Sequence, residues 1–155
     1  LVFLYRAMQN TQKERKINLE FVSENFETDK ENKTTKCTLV FKPHIKDFAK
    51  LYGRPSAEVL KNYPKMTHGL NEAFDKELFV TSGVSKCADD EPFDEETGIE
   101  IARQRARARA EKKYNNWLFA YFRLMMETVN KIDRALAQSD KALFQNNRIE
   151  ESFFE

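Results

Sequence analysis

The sequence predicts an α+β fold: a small antiparallel sheet of about three strands, packed by short helices and a long C-terminal helix. Three observations predict it. Two segments in the first third of the chain alternate apolar and polar residues with the period of half-buried strands. The middle, punctuated by proline and glycine, carries short stretches with helical spacing. From Glu95 to about Gln138 there is no proline, and the one glycine, Gly98, falls in the first turn. Alanine, arginine, glutamate, leucine and methionine dominate that stretch, as in a helix.

The size fits this architecture. With 155 residues, 41% of them apolar and 13 of them phenylalanine, the chain can bury one core. The expectation is a single domain over residues 1–155. Residues 1–94 supply strands and short helices, 95–138 the long helix, and 139–155 a helical or flexible tail.

The chain opens LVFLYRAMQN, an apolar run broken at Arg6. That run is too short for a secretory core and far short of the roughly 20 residues that cross a membrane. No membrane partner is expected, and the location expected is the cytoplasm of a host cell. Leu1 to Ala7 read either as sequence upstream of a start at Met8 or as a first strand or helix on the core. INLEFVS, Ile17 to Ser23, sets Ile17, Leu19 and Phe21 against polar neighbours. KCTLVFK, Lys36 to Lys42, does the same with Cys37, Leu39 and Phe41, and the polar ENFETDKENKTT between them reads as the turn. Pro43 closes the second strand because it has no N–H for the ladder.

Ile45, Phe48, Ala49 and Tyr52 have helical spacing, with Gly53 at the expected stop. Ser56 is a plausible N-cap for the next short helix, which Pro64 ends. From Gly69, Leu70, Ala73, Phe74 and Leu78 form another helical stripe. It leads into LFVTSGVSKC as a third strand, where Gly83 marks a bulge or turn.

Charge then changes abruptly along the chain. ADDEPFDEETGIE has seven acidic residues and no basic one, whereas RQRARARAEKK, Arg103 to Lys113, has six basic and one acidic. Asp94 reads as the N-cap of the long helix, with Glu95 and Glu96 at the positive end of its dipole. Apolar residues at Ala110, Tyr114, Trp117, Leu118, Tyr121, Phe122, Leu124, Met125, Val129, Ile132 and Leu136 make a broad stripe, wider than a two-stranded coiled-coil seam, that reads as the core face. A base-stacking platform is the alternative use of its aromatic residues.

The alternation of arginine suggests a strand, but no β-branched residue supports one and both flanks are helical. On a helix Arg103 and Arg107 share one side, and Arg105, Arg109 and Lys112 share nearly the opposite one. Ile99, Ala102, Ala106 and Ala110 form a small-residue seam between them, where another backbone can approach closely. The candidate binding residues are Arg103, Arg105, Arg107, Arg109, Lys112 and Lys113. Three uses compete: a solvated helix paired with nearby acids such as Glu111 and the acidic loop, contact with phosphates, or docking onto an acidic surface of another protein. The overall formal charge of +1 favours none of them.

Catalytic patterns are missing from the sequence. His44 and His68 are the only histidines, and neither lies in an HExxH or comparable motif. The four glycines form no phosphate-cradling turn. Cys37, His44, His68 and Cys87 are single residues on different elements rather than the spaced pairs of a zinc site. Asp89, Asp90 and Asp94 lack the spacing of a calcium loop. The reading is no enzyme, no metal and no cofactor. Cys37 and Cys87, far apart and outside any CxxC, read as free thiols in a reducing compartment, with a single bridge between them as the alternative.

GVSKCADDEPFDEETGIEIARQRA resembles a module of many small bacteriophage proteins. There, a strand ending in lysine and cysteine leads through an acidic loop to Phe-Asp, then a glycine and an alanine-bearing helix. Lys86, Cys87, Asp90, Phe93, Asp94, Gly98, Ile101 and Ala102 carry the likeness, which covers residues 83–106. It implies a phage or prophage origin and carries over no catalytic residue. The functional expectation is a non-enzymatic viral binding protein that inhibits a host nucleoprotein or defence complex, in the manner of an anti-CRISPR. Alternatives are a nucleic-acid-binding regulator that uses the arginine-rich helix, and a sponge for a small molecule or signal nucleotide.

Overall fold

The structure, a computed structural model, describes residues 19–154, with side chains to Arg148. The expectations for Leu1 to Ala7 and for Ile17 lie outside the described residues. Three antiparallel strands, β1 (Glu20–Asp29), β2 (Thr34–Lys42) and β3 (Phe79–Lys86), form one sheet in the order β1-β2-β3. The α+β expectation holds.

The β1–β2 hairpin takes in most of the stretch expected as a turn. A bulge at Val22 is the reason: Phe21 pairs with Phe41 and Ser23 with Val40, so the inward phase moves from Phe21 to Glu24, Phe26 and Thr28. Only Lys30 to Lys33 remain as the turn. Asp29 caps it by accepting from the backbone N–H of Glu31 and Asn32 at 3.1 and 3.2 Å. Lys33 takes the left-handed φ of 51° that closes it.

Between β2 and β3 come α1 (Ile45–Tyr52), α2 (Ala57–Asn62) and α3 (Pro64–Asp75). Gly53 follows α1 at φ 88°, and Ser56 Oγ accepts from Val59 N–H at the start of α2, as its sequence predicts. Helix α3 begins earlier than expected. Pro64 both stops α2 and opens α3 at its first turn, where a missing N–H costs nothing.

Asp94 accepts from Glu96 N–H at 3.1 Å and Thr97 N–H at 3.5 Å, and caps α4 (Glu95–Phe154). This helix first runs across the sheet. Ala102, Ala106 and Ala110 are fully buried on the inward row that holds Cys37, Leu39, Phe41, Phe79 and Gly83. Gly83 is neither bulge nor turn but an ordinary ladder position opposite Cys37. Its glycine is needed by the helix above: a β-carbon there would lie 2.3 Å from the Ala102 carbonyl oxygen and 2.4 Å from Ala106 N. Two β3 hydroxyls use the same closeness, Thr81 donating to Ala106 O at 3.0 Å and Ser85 to Gly98 O at 2.8 Å.

Farther along, Trp117, Tyr121 and Leu124 complete the core against Phe41, Phe79 and Phe74. The Tyr121 hydroxyl donates to Gly53 O at 2.6 Å, and Thr128 Oγ1 accepts from Ser56 N–H at 3.0 Å. Lys131 pairs with Glu58 as the last such tie among the described residues. Here the sequence expectation is corrected. Phe122, Val129, Ile132 and Leu136 are not core: Phe122 lies on the outer side of the helix while Tyr121 and Leu124 face in, and for the other three the body ends while the helix and its period continue. Of the two expectations for the tail, the helical one is seen, as residues 139–154 continue α4.

Candidate functional site

The arginine-rich turns of α4 straddle the sheet, and each flank meets a different strand. On one side Glu24 of β1 receives both Arg103 and Arg107: Arg103 Nε donates to Glu24 Oε2 at 2.9 Å, and Arg107 Nε to Oε1 at 2.7 Å. Phe26 and Phe21 lie under the same two guanidiniums, with centroid distances of 5.2 and 5.1 Å. Burial by itself would raise the Glu24 pKa. The two guanidiniums outweigh it, and the carboxyl is held below its usual value. Arg103 also reaches Glu100 at 2.7 Å.

On the other side Arg105 donates to the Val84 carbonyl at 2.6 Å and Arg109 to the Ser82 carbonyl at 2.8 Å. Among the described residues β3 is an edge strand, and no further strand pairs with these carbonyls. The i, i+4 arginines match the i, i+2 carbonyls because one helical turn and two strand residues have similar lengths. The edge is closed by side chains in place of a fourth strand.

The four arginines are therefore brought together with their own sheet, and the acids they meet are Glu24 of β1 and Glu100, the last residue of the acidic segment, and not Glu111. Lys113 leans over Phe79 and Trp117 at 5.5 and 5.3 Å, whereas Lys112 is exposed. The acidic loop is held from the hairpin: Lys33 Nζ donates to the carbonyls of Asp89 and Glu91 at 3.0 and 2.7 Å.

Residues weighed for catalysis lie apart. Cys37 is buried under α4, where burial first and the Glu24 carboxylate second push its thiol up and away from the reactive thiolate. Cys87 bonds through its N–H to the carbonyl of Lys33, the turn residue just before β2 and four positions from Cys37, roughly 13 Å at strand rise and beyond the reach of a disulfide. His44 sits between Glu20 and Asp47, at 3.0 and 3.1 Å, and His68 is exposed on α3. Among the described residues no three His, Cys, Asp or Glu side chains are grouped to hold a metal ion.

The surface that sequence reasoning missed is the far half of α4. Every side chain from Ile132 to Arg148 is exposed, so the helix projects about 25 Å from the body on this stretch alone. It is not polar all round. Val129, Ile132, Leu136 and Leu143 are 50%, 64%, 58% and 61% exposed. Phe122, Val129, Leu136 and Leu143 recur at intervals of seven; the intervening positions hold Met125, which packs partly on the core, then Ile132 and Ser139. That heptad seam was hidden in the stripe because Trp117, Tyr121 and Leu124 give the same helix a second apolar face. Asp133 and Asp140 border one side of the seam, and Ala135 and Ala142 the other.

No family model, curated protein or solved structure matches this chain. Among the described residues no helix is long and apolar enough to cross a membrane.

Proposed function

We propose that this chain is a non-enzymatic protein-binding protein that takes a partner helix along the projecting half of α4. The observation that carries the reading is the row of exposed apolar residues Phe122, Val129, Ile132, Leu136 and Leu143 at heptad spacing, on a helix whose side chains from Ile132 to Arg148 are all exposed. Apolar residues in an exposed row of this length mark an interaction surface. The seven-residue period selects the occupant, since only another helix lying almost parallel presents side chains at that repeat.

Charge narrows the choice of partner. In a parallel pair the flank with Asp133 and Asp140 faces the opposite flank of the other helix, which in a second copy offers Ala135 and Ala142. An antiparallel second copy sets aspartate against aspartate. A foreign helix with lysine or arginine on its facing flank answers both carboxylates. In the phage setting that residues 83–106 resemble, such docking would block a host nucleoprotein or defence complex. Direct nucleic-acid binding through the arginines has less behind it, because phosphates would have to displace Glu24 and the β3 carbonyls.

Two synthetic three-heptad peptides test this, one with lysine and one with glutamate on the facing flank, each titrated with the full chain. The lysine peptide should bind at least about tenfold more tightly, and Leu136→Asp should abolish the difference. Equal binding, or none, overturns the choice of partner, as does a concentration-dependent dimer in sedimentation that Leu136→Asp dissolves.

A further inference from the structure

A second surface carries an inference independent of the projecting helix. Lys42 at the end of β2, Lys46 and Lys50 one turn apart on α1, and Lys76 after α3 line one cleft of about 280 Å³. No carboxylate lies within ion-pair distance of any of these four lysines among the described residues. The acids that share the cleft are Asp47 and Glu77. Asp47 is already engaged by the His44 ring at 3.1 Å.

Four lysines thus line the cleft against two lining carboxylates, and Glu20, which pairs with the His44 ring at 3.0 Å, adds a third beside it, so the basic residues still outnumber the acidic ones in a concave setting. Ile45 and Lys46, which also line it, open α1, so their backbone N–H groups precede the first helical acceptors and add positive potential. Among the described residues the one aromatic ring lining the cleft is the His44 imidazole, which Glu20 and Asp47 hold at 3.0 and 3.1 Å, and no Phe, Tyr or Trp joins it as a platform for a base. Its volume is at the small end for organic ligands.

From this we infer that the cleft is a binding site for a phosphoryl anion, recognised by charge and not by a base. Phosphate oxygens fit because three or more acceptors on one tetrahedral centre can meet lysines arriving from β2, α1 and the loop after α3 together. The same chemistry is offered by a free polyphosphate and by the phosphodiester backbone of a nucleic acid.

The test uses the full chain with inorganic pyrophosphate in a calorimeter and a fluorescent thymidine oligonucleotide in anisotropy. Lys46→Gln/Lys76→Gln is compared with Lys30→Gln/Lys61→Gln, which changes charge equally outside the cleft. Saturable pyrophosphate binding, weakened at least about tenfold in the first variant and retained in the second, is the expected result. If the oligonucleotide binds and pyrophosphate displaces it, the source is a nucleic-acid backbone. If pyrophosphate alone binds, the source is a free anion. No saturable binding of either probe, or equal loss in both variants, overturns the site. A thermal melt of each variant and the salt dependence of wild-type binding keep the result separate from misfolding.

Discussion

Gly83 and Ala102 meet at backbone contact: a β-carbon on the glycine would stand 2.3 Å from the alanine carbonyl oxygen. The arginine-rich helix is seated on its own sheet by that closeness, and its basic flanks reach the strands on either side because of it. Gly83→Ala should therefore destabilise the fold by about 3 kcal/mol or more, since backbone and not a pliant side chain must move. Urea unfolding measures it. Gly69→Ala is the contrasting change, as a β-carbon there meets nothing within 4 Å. Inside α3 it should stabilise by about 0.5–1 kcal/mol.

Glu24 joins β1 to two turns of α4, so Glu24→Gln should cost about 1 kcal/mol, on the scale of a charge-assisted hydrogen bond partly open to water. The pH dependence has a definite sign. The folded carboxyl titrates below its unfolded value, so its contribution is present above the ordinary carboxylate range and is lost as pH falls through the folded pKa. Wild-type stability should drop more steeply than that of Glu24→Gln on acidification, measured by chemical denaturation across that range.

Tyr114 behaves oppositely. Its hydroxyl is buried without a hydrogen-bond partner among the described residues, and burial pushes its pKa up to about 12. Between the unfolded value near 10 and that pKa the unfolded chain loses its proton first, so stability falls as pH rises. Tyr114→Phe removes the unpaired hydroxyl and should stabilise by roughly 1 kcal/mol at neutral pH. It should also flatten the alkaline decline, with ultraviolet titration of tyrosinate as the check.

Much of this architecture was legible because helix periodicity is local. The split of Arg103 and Arg107 from Arg105 and Arg109, the alanine seam and the Asp94 cap all follow from spacing along one segment. Their partners did not follow. Glu24 lies 79 residues from Arg103, inside a stretch whose polar composition reads as a turn until the bulge at Val22 is allowed for. Gly83 reads as an irregularity because a sequence carries no record of what passes above a strand. The core stripe was extended too far for a related reason: the helical repeat runs unchanged past Thr128, and nothing local marks where the body stops. The lysine cleft assembles residues from three elements, so no single segment announces it.

The central claim is that a partner protein docks on the projecting half of α4, while the arginines serve the fold. Site-specific photocrosslinking in a nuclease-treated bacterial lysate tests it most directly, using full chains with a photoreactive phenylalanine analogue in place of Ile132 or of Lys112. The expected result is a protein adduct from position 132 that Leu136→Asp removes, and no comparable adduct from position 112. Adducts confined to position 112, or their disappearance from both positions on nuclease treatment, would contradict the claim.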